Sequence, residues 1–128
     1  MSHYLWNLFA NLKNAQKSKK SVILQRNTKV CYKILSILWD ENLILGFKNY
    51  EKDFKYLIIY LKYSKGKPAI SQLQSVSKPG HRVYLSVKEI CKLENNLGIY
   101  ILSTAKGIMS SRLCKKLNIG GELLVYLN

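Results

Sequence analysis

Leu97-Gly-Ile-Tyr-Ile-Leu-Ser-Thr-Ala-Lys-Gly-Ile-Met-Ser-Ser-Arg-Leu-Cys-Lys-Lys-Leu-Asn-Ile-Gly-Gly-Glu-Leu-Leu-Val-Tyr-Leu127 changes its hydrophobic spacing twice within one short stretch. Leu97–Leu102 is a continuous apolar run of strand length, and Ser103–Gly107 is a polar loop. Ile108–Leu117 reads as a helix, with Met109 and Leu113 at i, i+4 and with Arg112, Lys115 and Lys116 near its end, where cations suit the helix dipole. Gly120-Gly121 breaks that helix, and Glu122–Leu127 closes as a strand. Strands and helices that alternate irregularly around polar loops belong to an α+β fold.

Upstream, Ser86 followed by Glu89 is a capping box that opens a short helix running through Asn95. Ser77-Lys78-Pro79-Gly80 is a turn, because Pro presets φ at the first central position and Gly tolerates positive φ at the next. Ala69–Val76 and His81–Tyr84 are extended on either side of it. Ser64-Lys-Gly-Lys-Pro68 is the expected linker, which places a boundary near residue 66 and divides the chain into 1–66 and 67–128. In the first half, Leu57, Ile59, Leu61 and Tyr63 alternate with Tyr56, Ile58, Tyr60 and Lys62, the period of a strand with two unlike faces. That strand is expected over Phe54–Tyr63, and Ile44–Tyr50 is its partner across a polar turn at Glu51–Asp53. Asn27 or Thr28 caps a helix that carries Val30, Ile34, Ile37, Leu38 and Glu41 on one side. Val22–Leu24 is a short strand. Leu5, Leu8, Phe9 and Leu12, at i, i+3, i+4 and i+7, predict an amphipathic first helix with Ser2 as its N-cap.

The charge balance narrows the partner. Among 128 residues, 21 Lys and Arg face 7 Asp and Glu, for a formal net charge of +14. No acid precedes Asp40, and a second acid-free stretch runs from Phe54 to Lys88. A chain this basic repels itself and favours a polyanion, nucleic acid first and an anionic membrane surface second. The first helix is cationic, but its apolar stripe has the form of a face packed on a sheet. No apolar run approaches the roughly 20 residues of a membrane span. Lys, Asn, Ile and Tyr are abundant, as an AT-rich genome would encode, and the first residues resemble neither a secretory signal nor an Arg-rich presequence. Cys31, Cys91 and Cys114 are odd in number and scattered, which suits buried thiols in a reducing compartment; none has the neighbours of a zinc site.

Two segments are suited to RNA. Ser103, Thr104, Lys106 and Gly107 join a strand end to the expected helix start, where free backbone N–H groups favour phosphate. Their hydroxyls suit a ribose 2′-OH, and the glycine permits close approach. Lys78, Pro79, Gly80, Arg82 and Tyr84 form a basic turn beside an aromatic ring that could stack on an unpaired base. Lys19 and Lys20, in the basic Gln16–Ser21 stretch, would add non-specific phosphate contacts. Catalysis finds little support: no carboxylates are spaced with a His or a metal ligand, and His3 and His81 lie in unrelated segments from the cysteines. The expectation is a non-enzymatic protein without cofactor, metal, small-molecule substrate or membrane partner.

Ser77-Lys-Pro-Gly-His-Arg-Val-Tyr84 resembles the Ser-Arg/Lys-Pro-Gly-x-Arg-x-Tyr motif of the S-eight family of small-subunit ribosomal proteins. Leu97-Gly-Ile, Ser103-Thr-Ala-Lys-Gly, Met109 and Gly120-Gly-Glu-Leu resemble that family's C-terminal signature in order and spacing, and Asn14-Ala-Gln16 matches its N-terminal region. The resemblance covers essentially the whole chain; it is dense between residues 71 and 126 and loose between 17 and 66. It implies an α+β protein of two small domains, an N-terminal sheet packed by helices and a C-terminal, mostly β domain with short helices that binds rRNA. It further implies a structural role in the small ribosomal subunit, direct binding to the central domain of its rRNA, contacts with neighbouring ribosomal proteins, and RNA contacts at Ser103, Thr104, Lys106 and Gly107. Where the family usually has a second Ser, this chain has Ala105. After Tyr84 it has Leu85-Ser-Val87 where the family is commonly basic, while cations have accumulated in the first half. With the composition, these departures point to an organellar ribosome, mitochondrial first, with plastid or bacterial cytoplasm as alternatives. An RNA-processing enzyme and a free regulatory RNA binder are the competing classes.

Overall fold

The stripe of Leu5, Leu8, Phe9 and Leu12 forms one face of the first helix, α1 (Ser2–Lys17), and all four side chains are buried. The computed structural model describes residues 2–77, 80–93 and 98–128. The side chain of Ser2, the turn residues Lys78 and Pro79, the helix end expected at Asn95 and the strand start expected at Leu97 lie outside this description. Two compact units result, Met1–Ser71 and Gln72–Asn128.

In the first unit, α1 ends where Lys19 takes a left-handed φ of +57° and the Lys20 N–H donates to Ala15 O at 2.9 Å. The chain then enters β1 (Val22–Arg26), α2 (Lys29–Asp40), β2 (Ile44–Asn49) and β3 (Tyr56–Leu61). β3 lies between β1 and β2, antiparallel to both. Alternation decides its faces: Leu57, Ile59 and Leu61 are buried, whereas Tyr56, Ile58 and Tyr60 turn outward. Thr28 caps α2, its side chain accepting the Cys31 N–H. The buried stripe of α2 is Cys31, Ile34, Leu35 and Leu38, rotated from the expected one, so that Val30 and Ile37 are only half-buried. Val30 and Ile37 flank the buried stripe, and apolar residues in adjacent rows leave periodicity little to choose between them.

The stretch expected to link two domains is folded. β4 (Tyr63–Ser64) pairs with β5 (Lys67–Pro68) around Lys65-Gly66, where both residues have positive φ (+54° and +79°), the requirement of a two-residue hairpin of the I′ type. The boundary expected near residue 66 thus falls inside the first unit, which runs on to Ser71.

The second unit is mostly β. β6 (Leu73–Ser75), β7 (Tyr84–Leu85), β8 (Ile99–Thr104), β9 (Gly107–Ser110) and β10 (Gly121–Leu127) make one antiparallel sheet. β10 is its centre: β8 lies along one side, with β9 beyond it, while β6 and β7 share the other side. Of the strand expected over Ala69–Val76, only Leu73–Ser75, as β6, is formed. α3 (Val87–Lys92) carries the expected capping box, with Glu89 accepting the Ser86 N–H and Oγ–H while Ser86 accepts the Glu89 N–H. Ile90 of α3 and Cys114 of α4 (Ser111–Leu117) pack with Leu102, Met109 and Leu123 into one apolar cluster. Burial raises the Cys31 and Cys114 thiol pKa values, but Cys91 is exposed, contrary to the expectation that all three cysteines are buried.

Candidate nucleic-acid interface

The helix expected over Ile108–Leu117 begins three residues late. Ile108, Met109 and Ser110 belong to β9, paired with Ser103, Leu102 and Ile101, and Ser110 caps α4. Ser103–Gly107 is accordingly the tip of a β-hairpin rather than the mouth of a helix, and the free helix N–H groups assigned to it do not exist there. Periodicity misled because Ile108-Met109 is too short an apolar run to separate a strand from a helical turn.

The tip stabilises itself. Gly107 adopts φ +116°, which an L side chain rarely tolerates. The Thr104 hydroxyl donates to Gly107 O at 2.8 Å and accepts the Lys106 N–H at 3.2 Å. Its single donor is thereby used within the turn, leaving one acceptor lone pair. Ser103 differs: its hydroxyl has no hydrogen-bond partner among the described residues and is half-exposed. Lys106 carries its charge on the exposed tip.

The second motif arrives at the same sheet end by way of β10. Ser77, 1 % exposed, donates its hydroxyl to Leu123 O and accepts the Val83 N–H at 3.0 Å. The Leu123 N–H in turn donates to Val83 O at 2.8 Å. Both ends of the basic turn are thus clamped to β10 by a buried serine, a structural role that the motif reading did not assign. Gly80 and His81 are exposed. Arg82, half-exposed, pairs its Nη1 with Glu122 Oε1 at 3.6 Å, which orients the guanidinium and screens part of its charge. Tyr84 is 65 % exposed.

Register completes the constellation. Glu122 lies opposite Tyr84 on one side and Ser103 on the other, and Ser103 lies opposite Ile108. Residues directly opposite share a face, so Tyr84, Glu122, Ser103 and Ile108 form one row across four strands. Neighbouring strands are about 4.8 Å apart, which puts Tyr84 and Ser103 about 10 Å from each other. Gly120 and Gly121 permit this approach. A Cβ on Gly121 would run into Ser103 O and stand 2.9 Å from Thr104 Cγ2, and one on Gly120 would run into Leu85 O. The helix before them ends at Asn118, in the left-handed conformation, so the glycines serve the sheet rather than the helix end. Arg82, Tyr84, Ser103 and Lys106 together present a guanidinium, a phenol ring, an unused hydroxyl and an ammonium, donors and a stacking surface of the kind RNA recognition uses.

Lys19 and Lys20 lie in the first unit, exposed at the end of α1, with the Tyr63 hydroxyl donating to Lys20 O at 2.6 Å. Among the described residues, no three His, Cys, Asp or Glu gather as metal ligands, and no helix is long and apolar enough to cross a membrane.

Residues 4–127 match the family model described as Ribosomal protein S8. The chain is 41% identical over 126 residues to the small ribosomal subunit protein uS8 of Caulobacter vibrioides (strain NA1000 / CB15N), covering 97% of this chain and 96% of that protein. The uS8 of Ehrlichia canis (strain Jake) gives the same identity and coverage. That of Orientia tsutsugamushi (strain Boryong) is 41% identical over 127 residues, again across 97% of this chain and 96% of the relative. With a family match from end to end and such identity over nearly the full length of its relatives, this α+β chain belongs to the ribosomal protein S8 family.

Proposed function

We propose that the protein is a structural, non-catalytic constituent of the small ribosomal subunit that binds directly to the central domain of small-subunit rRNA and supports subunit assembly and translation. Its relatives carry the small-subunit name. The observation that carries the RNA reading is the convergence of two separate motifs on one sheet end. β10 brings Tyr84 and Ser103 into one row, beside Arg82 and Lys106, in a chain of net charge +14. The C-terminal half, 67–128, makes the specific contact: Tyr84 stacks, Ser103 hydrogen-bonds, and Arg82 and Lys106 meet phosphate. Lys78, Pro79 and Gly80 belong to the same RNA footprint, as does Gly107 at the hairpin tip. Thr104 acts chiefly by shaping that tip. Lys19 and Lys20 add contacts that position without reading sequence. Neighbouring small-subunit proteins are the other partners.

The relatives named above are bacterial, so the ribosome is of the bacterial type. Richness in Lys, Asn, Ile and Tyr supports an organellar ribosome, mitochondrial before plastid, with the bacterial cytoplasm as the alternative. A source genome without AT bias would contradict the organellar assignment.

Hydroxyl-radical footprinting of small-subunit rRNA by the purified chain tests the proposal. One confined protected region is expected, weakened by Tyr84→Ala or Ser103→Ala and kept when Lys19 and Lys20 are changed to Ala. Protection scattered over many rRNA helices, indifferent to Tyr84 and Ser103, would contradict it.

A further inference from the structure

The first unit leaves an ordered aromatic in water. Phe54 sits on the turn between β2 and β3 and is 71 % exposed. The turn is pinned from within and from outside. The Asp53 N–H donates to Tyr50 O at 3.2 Å, and the Lys55 N–H donates to Asp53 Oδ1 at 3.0 Å. Asn27, at the junction of β1 and α2, donates its backbone N–H to Lys55 O at 2.8 Å. Its side-chain amide donates to Asn49 Oδ1 at 3.3 Å and to Phe54 O at 3.5 Å. These bonds bring the start of α2 and the Phe54 turn to one end of the sheet. The turn forgoes the stabilisation that burying a phenylalanine brings.

The same end gathers other groups. Tyr32, on the first turn of α2, is 51 % exposed, with its ring set edge-on to Phe47 at 5.1 Å and 80°. Tyr56, the first residue of β3, is 37 % exposed. Arg26, Lys29, Lys33, Lys48, Lys52 and Lys55 are all exposed here. The two carboxylates of the turn, Glu51 and Asp53, are engaged within the chain, Glu51 with Lys48 at 4.0 Å and Asp53 with the Lys55 amide. A shallow cleft of about 440 Å³ lies at the start of α2, lined by Asn27, Thr28, Lys29, Tyr32 and Lys33.

Exposed rings interleaved with cations fit one ligand chemistry best. Bases of an unpaired strand stack on aromatic faces whatever their sequence, while lysines track the phosphates between them. We infer that this end of the first unit is a further RNA contact, distinct from Lys19 and Lys20, which takes an unpaired nucleotide segment by stacking a base on Phe54 and seating its phosphates on Lys29, Lys33, Lys52 and Lys55. It is separate from the contact assigned above to the C-terminal unit, and either can fail without the other.

The test uses the full chain and a labelled single-stranded RNA of mixed sequence, roughly 12 nucleotides long, within the span that stacking platforms accommodate. Phe54→Ala should weaken binding about five-fold or more, since stacking on one aromatic supplies that much per base. Phe54→Trp should restore the affinity and Phe54→Leu should not, because the ring rather than apolar bulk is required. Lys29→Ala with Lys33→Ala should weaken binding and also lower the slope of log affinity against log salt by about 1.4, two phosphate contacts at roughly 0.7 each. An exposed side chain can be removed without unfolding the chain, and circular dichroism of each variant checks this. Wild-type affinity in Phe54→Ala would overturn the inference, as would equal performance of Leu and Trp at this position. Phe54-dependent capture of anionic vesicles with no Phe54-dependent RNA binding would overturn it in favour of a lipid surface. A small-subunit rRNA footprint weakened by Ser103→Ala, with Phe54→Ala silent on both that rRNA and the single strand, would overturn it while leaving the C-terminal contact standing.

Discussion

Ser103 and Thr104 are adjacent hydroxyl residues in one signature, and their hydrogen bonds predict opposite consequences of removing them. The Thr104 hydroxyl makes two bonds within the turn, to Gly107 O at 2.8 Å and from the Lys106 N–H at 3.2 Å. A typical intramolecular hydrogen bond contributes about 0.5–1.5 kcal/mol net, and groups left open to water at an exposed tip fall at the lower end. Thr104→Ala should therefore destabilise the C-terminal unit by about 1 kcal/mol. It should also expose the Lys106 amide to faster hydrogen exchange. Thr104→Ser should retain both effects of the hydroxyl. Ser103 has no such bond, so Ser103→Ala should change stability by less than about 0.5 kcal/mol. It should instead weaken binding to a central-domain helix fragment of small-subunit rRNA by roughly 1 kcal/mol, or about five-fold. Urea unfolding, amide exchange and RNA titration on the same preparations separate the two residues. The reasoning is refuted if Thr104→Ala leaves stability and the Lys106 amide unchanged yet weakens RNA binding more than Ser103→Ala does.

Three further predictions concern what holds this sheet end together. Ser77→Ala removes the buried hydroxyl that bridges Leu123 O and the Val83 N–H, so the C-terminal unit should lose about 1–3 kcal/mol in denaturant unfolding. Gly121→Ala forces a methyl group against Ser103 O and Thr104; it should destabilise by about 1–3 kcal/mol and weaken RNA binding as well, and a variant equal to the parent in both assays would show that β10 has room there. Glu89 accepts hydrogen bonds from the Ser86 N–H and Ser86 Oγ, which hold its carboxyl below the ordinary carboxylate range. The unfolded chain then takes up that proton first. The stabilisation is present above the ordinary carboxylate pKa and is lost as the pH falls through the lowered one. Carboxyl titration by NMR should show the downward shift, and Glu89→Gln should abolish this part of the acid dependence.

Local chemistry was legible in the sequence. Leu5, Leu8, Phe9 and Leu12 specify a helix face by spacing alone, residues 56–61 specify a two-faced strand, and Ser86 with Glu89 specifies a capping box; each has its physical cause within a few residues. What sequence reading missed depends on partners far along the chain. The β8–β9 hairpin passed for a helix start because Ile108-Met109 acquires its strand identity only by pairing with Leu102 and Ser103. Ser64–Pro68 passed for a linker because Gly and Pro mark loose loops and tight hairpins alike. Here a positive-φ Lys65 precedes the glycine and settles the matter. The candidate residues themselves were found by motif, but their assembly was hidden. Ser77 reaches Leu123 across 46 positions, and Glu122, which touches Arg82 and aligns Tyr84 with Ser103, stood in the Gly120-Gly-Glu-Leu signature without a role at the site. Phe54 read as the start of a strand, which begins only at Tyr56, and Tyr32 as a helix residue; only their exposure and the Asn27 bridge set them together at one end of the sheet.

The central claim is specific recognition of small-subunit rRNA rather than attraction of a polycation to any RNA. Its most direct test is binding of the purified chain to a central-domain helix fragment of small-subunit rRNA and to a scrambled hairpin of equal length, at two salt concentrations. Counterion release weakens both complexes as salt rises, but hydrogen bonds and stacking at the Tyr84–Ser103 row add a component that salt does not remove. The account predicts tighter binding to the fragment at both salts, with the ratio of affinities preserved or enlarged at the higher one. Equal affinities that collapse together at high salt would contradict it.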